Sequence, residues 1–268
     1  METGCRRAIL FLLFSPLFGT GFAQTETPVK VDKPLKSYSH WYFGAEYGVP
    51  FLFGDFTSFS ADKTYVGSQF GGFAGYQVNS WIGIEASART GYTRMGAKSY
   101  AGDYLMNADG MTYYTNQDFN TWKYKDVFSK VHFTNIGLQM NLNVNNFFGP
   151  NRGNRRWTVL LSPAVYAQHF STELINKADK SPLSGKKTDK WNIGIGGDVS
   201  LRYKISRAFD VQLRTGIIWV NNNKMDGIST LIKSKDHFMT SAGLSLIWKV
   251  GKKKEDNVLY ASRRAADV

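Results

Sequence analysis

From Trp191 to Tyr203 the chain changes polarity at every step. Trp191, Ile193, Ile195, Gly197, Val199, Leu201 and Tyr203 alternate with Asn192, Gly194, Gly196, Asp198, Ser200 and Arg202. Side chains on a strand point alternately to opposite faces, so this stretch has one apolar face and one polar, charged face. A helix would scatter the same residues around its circumference, and period two fits better. Seven further segments read the same way. Segment one (41–51) sets Phe43, Ala45, Tyr47 and Val49 against Gly44, Glu46 and Gly48. Segment two (67–78) sets Phe70, Ala74, Tyr76 and Val78 against Gly71, Phe73, Gly75 and Gln77. Segment three (81–94) opposes Ile82, Ile84, Ala86, Ala88 and Tyr92 to Gly83, Glu85, Ser87, Arg89 and Gly91. Segment four (131–144) opposes Ile136, Leu138, Met140, Leu142 and Val144 to Asn135, Gly137, Gln139, Asn141 and Asn143. Segment five (157–168) carries Val159, Leu161, Val165 and Ala167 on the apolar face, with Leu160 as an exception on the other. Segment six is the stretch described first. Segment seven (209–220) sets Val211, Leu213, Ile217 and Trp219 against Asp210, Gln212, Arg214 and Gly216. Segment eight (238–250) sets Ala242, Leu244, Leu246, Trp248 and Val250 against Ser241, Gly243, Ser245 and Lys249.

The connections alternate in length. Residues 52–66, 95–130, 169–190 and 221–237 are long and mostly polar, 79–80 and 204–208 are short, and 145–156 is intermediate. Barrels that span a membrane have short turns at one end and long loops at the other. The fold class this predicts is all-β: an eight-stranded antiparallel up-and-down transmembrane β-barrel over 41–250, its apolar face toward lipid. An even strand count puts both termini on the side of the short turns. Tryptophan placement agrees. Trp41, Trp81, Trp157 and Trp248 fall at the turn ends of their strands and Trp191 and Trp219 at the loop ends, leaving Trp122 within a loop. Indole favours the membrane–water interface, so these six form two girdles. A soluble antiparallel barrel or sandwich also alternates, but its apolar face is inside and its tryptophans have no reason to mark strand ends.

The N-terminus changes the picture by adding export. Arg6 and Arg7 precede an apolar run from Ala8 to Phe14, Pro16 and Gly19 break it, and Gly21-Phe22-Ala23 supplies small residues for cleavage. Residues 1–23 therefore read as a signal peptide; the apolar core is too short for the about 20 residues of a spanning helix. Residues 24–40, with Pro28 and Pro34, read as a flexible periplasmic lead-in, and 251–268 as a basic periplasmic tail. Cys5 is the one cysteine, so the mature chain has no disulfide, thiol catalysis or thiolate metal ligand. The formal charge of +12 lies almost wholly outside the signal peptide. For an exported chain its counterpart is anionic lipopolysaccharide or a membrane surface rather than nucleic acid. The run Lys252, Lys253 and Lys254 reads as solvated. Aromatic content of 15% and 26 glycines, with no long apolar stretch after residue 23, fit a barrel better than a helical membrane protein.

An eight-stranded barrel is only wide enough for its own side chains. The inward glycines leave room for large inward polar groups, among them Glu46, Glu85, Arg89, Asp198, Arg202, Asp210, Arg214 and Lys249. Charges removed from water must pair. A luminal ion-pair network of Glu46, Glu85, Arg89, Asp198, Arg202 and Arg214 is expected, as a structural plug or, alternatively, a gated ion path.

On these segments the chain resembles the small eight-stranded outer-membrane barrels of the OmpA and OmpX type, and more closely the outer-membrane β-barrel domain proteins that include the PorT-like family. The resemblance spans 41–250 and rests on pattern rather than on a diagnostic motif. It departs at the last strand, where Leu246-Ile247-Trp248-Lys249-Val250 is followed by 18 more residues instead of ending on an aromatic. The resemblance implies the outer membrane of a Gram-negative bacterium, insertion by the barrel-assembly machinery, and, for PorT-like members, a role in secretion or envelope assembly.

Candidate chemistry is sparse. His169-Phe170-Ser171 resembles the His-x-Ser arrangement of outer-membrane lipid A deacylases, in which histidine activates serine for acyl transfer. Its acid is not evident: Glu173 is too near, and Asp179 and Asp189 fall in a loop. Asp236-His237 could form an acid–base pair, as in barrel proteases. His40, His132, His169 and His237 show no metal-ligand spacing, and Gly71-Gly72 and 194–197 are mid-strand rather than phosphate loops. No cofactor motif appears. The loop 95–130 carries Tyr100, Tyr104, Tyr113, Tyr114, Phe119, Trp122 and Tyr124. These rings either recognise a surface or secretion partner or pack on each other in an extended hairpin turning near Ala108-Asp109-Gly110. The function expected is non-enzymatic, in envelope integrity, surface interaction or secretion-machinery assembly. A lipid A enzyme and a small diffusion pore are the alternatives.

Overall fold

The computed structural model describes residues 38–98, 105–107, 114–115, 120–148, 155–183, 188–221, 225–229, 237–252 and 256–261, all within the unit Leu35–Val268. The signal peptide and most of the lead-in lie outside the described residues, as do Ala108-Asp109-Gly110, Asp236, Lys253 and Lys254.

Eight long strands form the wall: β1 Trp41–Phe53, β2 Ser68–Gln77, β3 Ile82–Ala97, β4 Val127–Asn143, β5 Trp157–Asn176, β6 Thr188–Lys204, β7 Phe209–Val220 and β8 His237–Lys249. Each pairs antiparallel with its neighbours in chain order. The sheet closes where β8 pairs with β1, from Phe238 opposite Phe53 to Lys249 opposite Tyr42. Closure leaves no free edge, which is what a strand wall in lipid requires. The alternation holds on every strand: Tyr47, Phe70, Leu138, Ile193 and Leu244 are exposed on the outer face, while Glu46, Glu85, Gln139, Asp198 and Ser245 are buried inside.

Segment seven coincides with β7, and segments one, two and eight agree with β1, β2 and β8 to within two residues. Strands β3 to β6 run further toward the long-loop end than the pattern predicts, so the loops 95–130 and 169–190 are shorter than expected. The reason lies in the surroundings. Beyond His169 the period of two continues on β5, but its sense inverts: Phe170, Thr172 and Leu174 face in, and Ser171, Glu173 and Ile175 face out. On β4, Val127, Ser129, Val131 and Phe133 are buried while Lys130 and His132 point outward. Above the membrane belt the outer solvent becomes water, and the apolar residues move inside. A lipid-spanning strand needs about 9–11 residues, whereas β5 has 20, so much of this hairpin stands clear of the belt. At the other end Val144 leaves the strand for a short helix, Val144–Phe148.

The interior is filled in three tiers. At the loop end lies an apolar core that includes Leu52, Phe56, Met95, Phe133, Phe170 and Met239, joined by Met225 and Ile228 from the connection between β7 and β8. That connection turns at Gly227, whose φ of +77° suits glycine. The expected small polar lumen thus stops short of the loop end, while the middle tier is charged. At the turn end, Tyr42, Phe73 and Ile247 pack together, and Leu160 meets Leu259 and Tyr260.

Leu259 and Tyr260 belong to the segment read from sequence as a basic tail. Residues 256–261 instead fold back under the wall. Asp256–Asn257 pairs in parallel with Tyr38–Ser39, and the 3-10 turn Val258–Tyr260 is buried, its Leu259 N–H capped by the Asn257 side chain at 3.0 Å. Val258, Leu259 and Tyr260 gain more by leaving water than a solvated tail would allow.

Candidate functional site

Five of the six residues expected in the luminal network meet in the middle tier. Arg214, on β7, reaches Glu85 on β3 at 2.7 Å, Glu46 on β1 at 3.5 Å and Asp198 on β6 at 3.9 Å. Arg89, on β3, lies 3.2 Å from Glu46 and 3.1 Å from Asp198. The shorter contacts are charge-assisted hydrogen bonds. The Arg89 Nε and Arg214 Nη1 contacts are ionic without hydrogen-bond alignment. Glu85 also accepts from Tyr42 at 3.0 Å, Gln139 at 3.0 Å and Asn141 at 3.1 Å. Arg202 stands apart. It donates from Nε to Gln212 at 2.7 Å and lies over the Tyr42 ring, 4.9 Å from its centroid, and makes no salt bridge to the three acids among the described residues. The strand register accounts for this, because Arg202 sits opposite Gln212 and below the level of Arg214. The tier holds three acids and two guanidinium groups, and Arg202, one level below, brings the third positive charge.

Glycine makes the arrangement possible at two close approaches. A Cβ on Gly75 would lie 2.0 Å from the Tyr42 ring, and one on Gly216 would lie 1.8 Å from Asp198 Oδ1. Gly216→Ala is therefore expected to cost about 1–3 kcal/mol by overpacking, read as a lower urea midpoint of the barrel refolded in lipid vesicles. Asp210 and Lys249, the other inward charges expected, form a second centre at the turn end. The Lys249 ammonium bonds Asp210 and donates to Ser206 O at 2.9 Å. The Tyr260 hydroxyl donates to Asp210 Oδ2 at 2.8 Å, and Lys204 holds Asp256 at 2.8 Å. Burial and the Asp210 carboxylate hold the Tyr260 phenol well above its ordinary pKa.

On the outside, Trp41, Trp81, Trp157, Trp191, Trp219 and Trp248 are 38–59% exposed. The first three and Trp248 stand at or next to the turn ends of β1, β3, β5 and β8, and Trp191 and Trp219 near the loop ends of β6 and β7. Between the two rows the exposed surface is apolar around the ring, including Tyr47, Phe70, Ile136, Val165, Ile195 and Leu213. An apolar band bounded by aromatic rows on a closed strand wall is built for lipid. The chain is thus an integral membrane β-barrel of the outer-membrane kind.

His169 and Ser171 face outward on β5, just above this band. The structure supplies a carboxylate that the sequence placed in a loop: Asp189 lies on β6, opposite Ser171 in register, and contacts His169 Nε2. Among the described residues no hydrogen bond joins Ser171 to His169. Trp122 and Tyr124, from the loop 95–130, pack against the loop-end core instead of standing free. Met106–Asn107 pairs with Ile228–Ser229, and Tyr114–Thr115 with Asn120–Thr121. The loop is therefore not one simple extended hairpin. Tyr100, Tyr104, Tyr113 and Phe119 lie outside the described residues.

Sequence spacing passed over one further cluster. His237 is the first residue of β8 and is fully buried, with Nε2 3.6 Å from Asp226 Oδ2. Asp55 joins them, and ligating atoms of the three lie within 4.8 Å of one another. The Asp226 carboxyl accepts from Phe56 N–H at 3.0 Å and Ile228 N–H at 3.1 Å. Burial still pushes its pKa up to about 6.

No protein-family model and no curated protein matches this chain. Solved structures that resemble it are small outer-membrane barrels. They include Neisserial surface protein A (11% identity, 78% of this chain and 97% of that one, TM-score 0.42). The attachment invasion locus protein of Yersinia pestis also matches (10%, 80% and 100%, 0.42). A major outer membrane protein from Thermus thermophilus is a third (11%, 78% and 99%, 0.44). At these values the chain's own geometry has to carry any reading of function.

Proposed function

We propose that this protein is a non-enzymatic barrel of the Gram-negative outer membrane, closed to diffusion, that serves surface interaction or envelope integrity through its loop end. The observation that carries the reading is the filled interior. Apolar side chains close the loop end, a buried ion network fills the middle, and residues 256–261 close the turn end. A barrel plugged at three levels has its outer wall and loops left as working surfaces. Strands β3 to β6 extend past the lipid belt and hold the loop 95–130 on a rigid base, which favours partner contact there. In this reading the termini and short turns are periplasmic, the barrel-assembly machinery inserts the chain, and the basic surface faces lipopolysaccharide. The PorT-like resemblance adds secretion-machine assembly as one setting for that contact.

Reconstitution into planar bilayers tests the closed interior. No unitary steps above the lipid baseline are expected, and reproducible steps from heat-modifiable protein would overturn it. The lipid A alternative draws support from the His169–Asp189 contact. Mass spectrometry of lipid A from cells carrying Ser171→Ala should match wild type; a gained acyl chain would make the protein an enzyme.

A further inference from the structure

We propose that Asp55, Asp226 and His237 bind one divalent transition-metal ion, of the Zn²⁺ or Mn²⁺ kind, at the loop end of the barrel. The three donors come from separate places: Asp55 follows β1, Asp226 lies in the connection between β7 and β8, and His237 opens β8. Ring closure brings them together, since Phe238 pairs with Phe53 across the seam.

The chemistry of the set favours a metal. Two carboxylates lie side by side, Asp226 fully buried and Asp55 9% exposed, where ionised groups need a cation close by. Imidazole with carboxylates suits ions of the zinc and manganese series and offers nothing specific to Ca²⁺, which takes 6–8 oxygens. Ligands at about 2.0–2.2 Å from a tetrahedral ion stand about 3.3–3.6 Å apart. The 3.6 Å between His237 Nε2 and Asp226 Oδ2 has that spacing already, and a ligating atom of Asp55 lies within 4.8 Å of both. Both Asp226 oxygens accept backbone N–H groups, which fixes the carboxylate in place.

A second observation concerns the backbone beside the donors. Gly54 lies against the cluster, and a Cβ there would stand 2.8 Å from His237 Nε2 and 3.0 Å from Asp226 Oδ2. The nearest atom to that Cβ would be His237 Cδ2 at 2.7 Å, so the backbone passes close against the donor edge of the imidazole and any side chain at 54 would push the donors apart. The consequence of filling the site is mechanical: one ion would tie the first and last loops to the seam of the barrel.

The test uses untagged, full-length mature protein in detergent, stripped with chelator and checked as heat-modifiable on a gel. It should take up one Zn²⁺ per chain, measured by competition with a chromogenic chelator. Ca²⁺ at the same concentration should not compete, and the melting temperature should rise by about 3 °C or more with zinc. His237→Ala and the near-isosteric Asp226→Asn should each weaken zinc binding roughly tenfold or more; His132→Ala, on the outer face, should leave it unchanged. Should either buried substitution prevent folding, Gly54→Ala gives the same readout with every donor in place. The proposal fails if folded wild-type protein takes up no zinc. It fails equally if folded His237→Ala or Gly54→Ala binds as wild type does.

Discussion

Replacing Arg214 by methionine is expected to destabilise the barrel by about 3–5 kcal/mol, the range for leaving buried charge without its partner. Methionine fills most of the volume, so the loss is mainly electrostatic. Glu46 and Asp198 keep Arg89 at 3.2 and 3.1 Å. Glu85 loses its only ion pair among the described residues and retains three neutral donors, Tyr42, Gln139 and Asn141. The damage should therefore centre on Glu85, and Arg214→Met with Glu85→Gln should recover much of it, a coupling that a double-mutant cycle reads directly. Urea unfolding in lipid vesicles, followed by tryptophan fluorescence, provides the measurement. A single-variant loss below about 1 kcal/mol would mean that water or a counter-ion reaches the middle tier.

The second large effect belongs to the outer surface. Leu138 is 55% exposed on β4, flanked by Ala86 of β3 and Val165 of β5, and stands midway between the two aromatic rows. Leu138→Arg is expected to cost about 2–4 kcal/mol, the range for a cation at the bilayer midplane of such barrels. Thr134→Arg, higher on the same face, should cost about 0–1 kcal/mol, the range near the interface. The comparison separates solvents. An exposed leucine facing water could become arginine with little change, so a flat profile along β4 would remove lipid from the outside of this wall.

Most of the wall could be read from the chain because lipid outside and polar groups inside impose a period of two that few other arrangements share. The upper halves of β4 and β5 could not. Phe170, Leu174, Val131 and Phe133 obey the same period with the opposite sense, and a reader following one apolar face loses the strand where lipid gives way to water. Arg202 and Arg214 occupy equivalent positions in their segments, yet only the cross-strand register distinguishes the arginine at the level of the acids from the one below it. Asp55, Asp226 and His237 share no spacing at all; the closing of the ring is what makes them neighbours. Leu259 and Tyr260 sit in a stretch too short for periodicity, with basic neighbours that mask it.

The segment 256–261 has a temporal consequence. Its partners, Tyr38–Ser39 ahead of β1, Leu160 on β5 and Asp210 on β7, are not in position until the first and last strands have zipped. The chain carries its own closing stitch, drawn tight only after the ring is complete. Limited proteolysis during refolding is expected to cut at 256–261 before the ring closes and to spare it afterwards, because the burial of Val258, Leu259 and Tyr260 depends on those partners.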